Sequence, residues 1–200
     1  MTSRTHLLAM PTEPAYVRKM GATLMTAEEL LHTNIPHKLV ELVRGRLIVR
    51  EPPGYLHGDV TMRLSILLGF YAHERGLGRV LAAETGFKLQ SDPDTVRAAD
   101  IAFISRERVP PSDPRPVGYP ALAPDLAVEV LSPRDRPGET LSKVGDWLNA
   151  GTRLVWVIDH ERRLVRVYRL DGTESHLSGD GALDGEDVLP GFSCSLASIL

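Results

Sequence analysis

The apolar residues in the second half of this chain form two short runs separated by a helical pattern. Residues 126–131 and 153–159 are apolar at nearly every position, which is typical of strands buried on both faces of a sheet. Between them, apolar positions with helical spacing predict a helix over about residues 139–150. Its inward-facing side chains are predicted to be Leu141, Val144, Trp147 and Leu148. A strand, a helix and a strand in this order predict two parallel strands joined by a right-handed crossover.

The first half of the chain alternates between helical and strand patterns. Thr26 and Glu29 have the spacing of a capping box and predict a short helix that ends near His32. The other elements are predicted from apolar periodicity and from the turn residues at their ends. They are a hairpin over residues 38–50 that turns at Arg44-Gly45, a helix over about 57–73, and strands over 80–90, 98–104 and 164–170.

The remaining segments lack a sustained period. Residues 1–24 predict a flexible N-terminal arm, and residues 108–124, which contain six prolines, predict an irregular surface loop. The tail after residue 170 is predicted to close with a short helix or coil. We therefore predict one α/β domain over residues 25–200, in which a central mixed β-sheet is flanked by helices.

The composition of the chain indicates where the protein is located more clearly than what it does. The formal net charge is -3, so contact with DNA would require a local basic patch or bound cations. The single cysteine, Cys194, excludes an internal disulfide and fits a reducing compartment. No apolar run approaches the roughly 18 residues that span a bilayer. We therefore expect a cytoplasmic protein without a membrane segment.

Two of the predicted strands are each interrupted by one carboxylate. Glu129 lies within the apolar run 126–131, and Asp100 lies within 98–104. Glu41 is a further acid among apolar neighbours in the hairpin. A buried carboxylate must be protonated, paired or coordinated to a metal. Because neighbouring strands lie about 4.8 Å apart, we expect the carboxylates of Asp100 and Glu129 to approach each other on one face.

A divalent cation between these two acids would remove their repulsion, which is roughly 4 kcal/mol at 4 Å and an effective dielectric of 20. Mg²⁺ and Mn²⁺ prefer oxygen ligands completed by water, and such an ion can activate water and neutralise phosphoryl charge. Lys143 on the following helix is the ammonium that could stabilise that charge. The alternative is a buried acid pair satisfied by arginine or by backbone donors. For Lys143 the alternative is a solvated lysine paired with Asp146 or Glu139.

In combination these residues resemble the PD-(D/E)XK nuclease superfamily. The resemblance rests on Asp100, on Glu129 within Ala-Val-Glu-Val-Leu-Ser-Pro, and on Lys143. Over most of its length the chain is more closely similar to the Uma-two family of bacterial restriction endonucleases. The supporting motifs are Glu41-Leu-Val-Arg-Gly, His57-Gly58, Val96-Arg-Ala-Ala-Asp-Ile-Ala-Phe and Ala150-Gly-Thr-Arg-Leu-Val-Trp-Val-Ile-Asp.

This resemblance implies a restriction-endonuclease-like fold and a Mg²⁺- or Mn²⁺-dependent endonuclease that hydrolyses phosphodiester bonds in DNA. It implies that Asp100 and Glu129 are metal ligands and that the Val130 carbonyl is a further ligand. It also implies that Lys143 is the catalytic lysine and that Glu41 is an accessory acid. Two positions depart from the superfamily pattern. Ala99 stands in place of the usual proline, and Leu131 stands where the superfamily carries its lysine, so that the lysine's role falls to Lys143.

Other functions fit the same residues. One is a catalytically inactive module that binds nucleic acid or another partner, and another is a metal-dependent hydrolase of RNA or small phosphoesters. Because cutting both strands of DNA needs two sites, we expect a homodimer. The structural interpretation is favoured for the remaining polar candidates, which are His57, Glu84, Arg97, Arg134 and Arg136.

Overall fold

The computed structural model describes residues 24–110 and 117–200. The predicted N-terminal arm therefore lies, apart from Leu24, outside the described residues, as does part of the proline-rich loop. The helices of the described part are α1 (Ala27–Leu31), α2 (Tyr55–Glu74), α3 (Pro137–Asn149) and a 3-10 helix (Leu196–Ser198). The strands are β1 (Leu39–Val43), β2 (Arg46–Arg50), β3 (Gly78–Leu81), β4 (Thr85–Gln90), β5 (Thr95–Ala99), β6 (Ile101–Ser105), β7 (Leu126–Val130), β8 (Leu154–Asp159), β9 (Leu164–Arg169), β10 (Glu174–Ser178), β11 (Ala182–Asp184) and β12 (Ser193–Ser195).

The larger sheet has six strands in the order β10-β9-β8-β7-β6-β3. Its central pair, β7 and β8, is parallel with α3 between them in sequence, and the other pairs are antiparallel. The predicted strand–helix–strand unit and the mixed sheet are therefore confirmed.

Helices cover both faces of this sheet. Leu64 and Leu68 of α2 pack against one face, where Trp156 of β8 is also buried. Trp147 of α3 packs against the other face, beside Val157 of β8. Successive residues of a strand point to opposite faces. A strand between two helix layers must therefore be apolar at every position, as β7 and β8 nearly are.

A second sheet of four strands has the order β2-β1-β5-β4. The predicted hairpin forms β1 and β2, and it turns at Arg44-Gly45 with both residues at positive φ. Thr26 caps α1 as predicted, because its hydroxyl accepts from the Glu29 N–H while the Glu29 carboxylate accepts from the Thr26 N–H. A small core around Leu42 holds α1 against this sheet.

Two predicted strands are each divided in the structure. The segment predicted as one strand over 80–90 forms β3 in the larger sheet and β4 in the smaller sheet, with Glu84 at a φ of 69° between them. The segment predicted over 98–104 likewise divides into β5 and β6 at Asp100. The chain passes between sheets at these two points. An acid stands at each of these points, and the sequence does not distinguish an acid within one strand from an acid between two strands.

The tail was predicted to close with a short helix or coil, and the 3-10 helix over Leu196–Ser198 is such a helix. Residues 174–195 also form β10, β11 and β12, which were not predicted. β10 is a polar edge strand paired with β9, so it carries little hydrophobic signal. Leu141 was also predicted to face inward but is 50% exposed, because the buried face of α3 is centred on Val144 and Trp147.

Candidate active site

Four predicted site residues, together with Arg97, converge where the two sheets meet. Glu41 on β1 and Arg97 on β5 come from the smaller sheet, Glu129 on β7 comes from the larger sheet, and Lys143 comes from α3. Asp100 is the single residue between β5 and β6. All five line one cavity of about 820 Å³. The local order of strands thus brings together side chains that are far apart in sequence.

Asp100 lies opposite Glu129. The antiparallel register of β6 and β7 pairs Ile101 with Val128, and continuing it by one residue puts Asp100 across from Glu129. The Asp100 backbone N–H donates to the Val128 carbonyl at 3.0 Å, and its Oδ2 accepts from the Val130 N–H at 2.7 Å. Although Asp100 lies at a sheet junction rather than within a strand, the backbone of β7 holds it in place.

The carboxylate of Glu129 is buried and both of its oxygens are engaged. Lys143 Nζ donates to Oε2 at 2.7 Å, and Trp147 Nε1 donates to Oε1 at 2.8 Å. Burial raises the pKa of Glu129 to about 7; Lys143 opposes this shift, whereas the neighbouring charges of Asp100 and Glu41 add to it. Burial thus disfavours the charged form of Glu129, and the ion pair with Lys143 favours it.

Lys143 is held at the centre of the acids rather than in solvent. Besides Glu129, its Nζ donates to the Ala98 carbonyl at 2.8 Å and lies 3.2 Å from Glu41 Oε1. Burial lowers the pKa of Lys143, but Glu129, Glu41 and Asp100 outweigh that effect and raise it above its ordinary value. The alternative pairing with Asp146 is not formed, because Asp146 is paired with Arg97.

Glu41 is enclosed by cations. Arg97 Nη1 donates to Glu41 Oε2 at 3.0 Å, and the Ala98 N–H donates to Oε1 at 3.0 Å. Arg50 Nε lies 3.5 Å from Oε2. Burial raises the pKa of Glu41, but Lys143, Arg97 and the Ala98 N–H outweigh it and lower the pKa to about 2. Glu41 is therefore ionised at neutral pH and helps to hold Lys143.

His57 at the start of α2 completes the surroundings of Asp100. Its Nε2 lies 3.2 Å from Asp100 Oδ1, and the residue is buried. Burial lowers the pKa of His57, but the hydrogen bond and charge of Asp100 outweigh it and raise the pKa above 6.5. His57 thus fixes the orientation of one Asp100 oxygen while the Val130 N–H fixes the other.

Several residues at this cavity were interpreted as structural from the sequence alone. Arg97 was expected on the surface but its side chain is 4% exposed, and it joins Glu41 to Asp146. The contact between Trp147 Nε1 and Glu129 was not foreseen, although Trp147 was placed on the inward face of α3. Glu84 lines the cavity at a positive φ, which is uncommon for a residue with a side chain. For Arg97, the only available signal was its place between apolar residues of a strand.

The chemistry of this cavity favours hard cations over softer ones. The nearest acids offer carboxylate oxygens, and each oxygen keeps a lone pair after accepting one hydrogen bond. Within residues 24–110 and 117–200, no group of three or more His, Cys, Asp or Glu side chains is arranged to hold a metal ion. A metal at Asp100 and Glu129 would therefore need backbone oxygen and water to complete its ligands, which suits Mg²⁺.

Over the same residues, no helix has the length and apolar character needed to cross a membrane.

A mixed sheet between two helix layers, with paired acids and a lysine at one sheet junction, defines an α/β protein of the restriction-endonuclease-like class. The model of the Uma2 family, described as "Putative restriction endonuclease", matches residues 27–197. The chain belongs to the Uma2 family. The fold is also that of a crystal structure described as a putative nuclease belonging to DUF820 from Anabaena variabilis. That structure has a TM-score of 0.75 and 20% sequence identity, and the match covers 88% of this chain and 97% of the other. No curated protein matches the chain.

Proposed function

We propose that this protein is a Mg²⁺-dependent endonuclease that hydrolyses phosphodiester bonds in DNA, with residues 25–200 as the nuclease domain. The observation that carries the proposal is the meeting of Asp100, Glu129 and Lys143 in one cavity, with Lys143 Nζ 2.7 Å from Glu129 Oε2. Family membership supports nuclease chemistry, and the donor set supports the metal.

The proposed ligands of Mg²⁺ or Mn²⁺ are the carboxylates of Asp100 and Glu129 and the carbonyl of Val130. A bound ion would neutralise phosphate charge and lower the pKa of a coordinated water. Asp100 is positioned for this role because the Val130 N–H and His57 orient its two oxygens. Such supporting hydrogen bonds are usual around metal-ligating carboxylates.

Lys143 and Glu41 are proposed to act on the phosphate side of the site. The Lys143 ammonium would stabilise the charge that develops on the attacked phosphate. Glu41 keeps that ammonium in place at 3.2 Å and, as an ionised acid, keeps it protonated. Arg134 also lines the cavity and is exposed, so it is the proposed contact to the phosphate backbone. Arg50 lines the cavity too, but it is paired with Glu41 and Asp135.

We further propose that the protein acts in the cytoplasm as a homodimer, because the described residues of each chain form one such site and a duplex has two strands. The lone, buried Cys194 is consistent with a reducing compartment.

A second candidate function is a catalytically inactive binding module on the same fold. This second function is favoured because both carboxylates already form hydrogen bonds or ion pairs within the chain. Trp147 and Lys143 engage Glu129, while His57 and the Val130 N–H engage Asp100. A buried network whose members are already hydrogen-bonded to one another can be purely structural.

Metal titration separates the two functions. We expect calorimetry to detect Mg²⁺ or Mn²⁺ binding to the wild type and to Glu139→Gln, an exposed acid that lines the same cavity. Binding should be lost in Asp100→Ala and Glu129→Ala. Plasmid nicking should follow the same pattern, with an RNA oligonucleotide as competitor to test the substrate class. No binding by the wild type at millimolar metal would reject the nuclease and favour the inactive module.

A further inference from the structure

Helix α2 carries apolar side chains on two opposite faces. One face is buried against the larger sheet by Val60, Leu64, Leu68 and Ala72. On the opposite face, Tyr55 is 85% exposed, Met62 61%, Ile66 58% and Phe70 68%. These four residues, spaced seven, four and four positions apart, form one stripe along the helix, which we call the outer stripe. A helix that is apolar on all sides is normally buried on all sides.

The outer stripe is large enough to form the centre of a protein interface. At about 200 Å² for a fully exposed aromatic side chain, Tyr55 and Phe70 alone present about 300 Å². Met62 and Ile66 between them extend the surface toward the roughly 800 Å² that each partner buries in a standard interface. Exposed apolar patches of this size on a soluble chain generally mark an interaction site.

We propose that the outer stripe is a two-fold interface with a second copy of this chain, in which the two α2 helices pack antiparallel about Ile66. A two-fold axis at that residue pairs each position with the one equally far on its other side. Met62 then faces the partner's Phe70, and Ile66 faces its own copy. Asp59 faces the partner's His73, which joins an acid to a base on each side of the apolar centre.

At one edge of the outer stripe, a Cβ atom built at Gly69 would meet nothing within 4 Å, so the surface beside the stripe is open to a second helix. Arg63 lies at the opposite edge. Arg63 keeps an intrachain partner, because its Nη2 lies 2.9 Å from Asp59 Oδ2. The two-fold thus matches Asp59 with the partner's His73 on both sides of Ile66, which favours a second copy over an unrelated partner.

The interface and the candidate active site are separate surfaces. His57 of α2 lines the cavity, whereas Met62, Ile66 and Phe70 do not. Substitutions in the outer stripe should therefore change the assembly without changing metal binding, so this inference can fail while the nuclease proposal stands.

Light scattering coupled to size exclusion tests the interface on the full chain. We expect the wild type to have twice the mass of one chain and Ile66→Asp to have the mass of one chain, with unchanged circular dichroism. The matched control is Leu170→Asp, because Leu170 is 52% exposed at the end of β9 and far from α2 in sequence. This control should remain dimeric.

Cross-linking tests the position of the axis. In Ile66→Cys the introduced thiols of the two copies would meet, so mild oxidation should yield a covalent dimer, whereas Leu170→Cys should not. The native Cys194 is buried and should not contribute. A monomeric wild type would overturn the proposal and leave the outer stripe to another occupant. A dimer that persists in Ile66→Asp and does not cross-link through Ile66→Cys would overturn it equally.

Discussion

Replacing Arg97 with methionine is expected to lower the free energy of unfolding by about 3–5 kcal/mol, the usual effect of removing one partner from a buried ion pair. The Arg97 side chain is 4% exposed. Its guanidinium donates to Asp146 Oδ2 at 2.6 and 2.9 Å and to Glu41 Oε2 at 3.0 Å. Methionine preserves most of the aliphatic packing, so the loss reports the charge.

The structure indicates why the loss is not larger. Three hydrogen bonds to charged groups, at about 1.5–3 kcal/mol each, would together exceed the loss of free energy expected for Arg97→Met. Glu41 keeps its contacts with Lys143 and the Ala98 N–H, however, and Asp146 is 12% exposed and reached by Arg44 at 4.0 Å. Most of the expected loss in the free energy of unfolding comes from Asp146, because it is left without its closest cation.

Urea denaturation followed by tryptophan fluorescence measures this free energy by linear extrapolation. For a chain of this size about 1 kcal/mol corresponds to roughly 2–4 °C in Tm, so we expect a decrease of about 10 °C. Arg134→Met is the control, because Arg134 is exposed at the same cavity and its loss should change stability by no more than about 0.5 kcal/mol. A loss below 1 kcal/mol in Arg97→Met would refute the reasoning. Strict additivity with Glu41→Gln would refute it as well, because residues in contact should couple.

Two further predictions concern pH. The pKa of Glu41 is lowered from 4.5 to about 2 on folding, so its contribution to stability is fully present above about pH 4.5 and is lost as the pH falls toward 2. At about 1.4 kcal/mol per unit, Glu41→Gln should remove about 3 kcal/mol of the acid dependence in urea titrations from pH 5 to 2; an unchanged slope would contradict this. The pKa of His57 is raised above 6.5 in the folded chain, so its contribution is present below pH 6.5 and is lost as the pH rises through the folded value. NMR titration should show a lower His57 pKa in Asp100→Asn than in the wild type, and an equal pKa would show that the contact with Asp100 is not formed.

The elements that could be predicted from the sequence are those whose signal is local or strongly periodic. The capping box at Thr26 involves residues three apart, and β7 and β8 are apolar at successive positions because helices cover both faces of their sheet. The hairpin of β1 and β2 has its turn residues in place. Each of these features depends on neighbours within a few residues, so the chain displays it directly.

The features that could not be predicted depend on contacts between distant residues. Asp100 marks the passage from one sheet to the other, but the sequence does not distinguish it from an acid within one strand, because β5 and β6 are both buried. The burial of Arg97 depends on Glu41 and Asp146, which lie 56 and 49 positions away. The exposed outer stripe of α2 resembles a core face by composition alone. Asp100 and Glu129 were predicted as candidates because an acid in an apolar strand is conspicuous without any partner.

The residues of the candidate site lie far apart in the sequence, so the ribosome synthesises them at different times. Glu41 emerges early with the smaller sheet, Asp100 follows, and Glu129 and Lys143 come only with β7 and α3. A nascent chain that has produced the first sheet therefore carries one acid of the set and no lysine to hold it. The order of synthesis therefore withholds the complete set of candidate site residues until most of the polypeptide has been made.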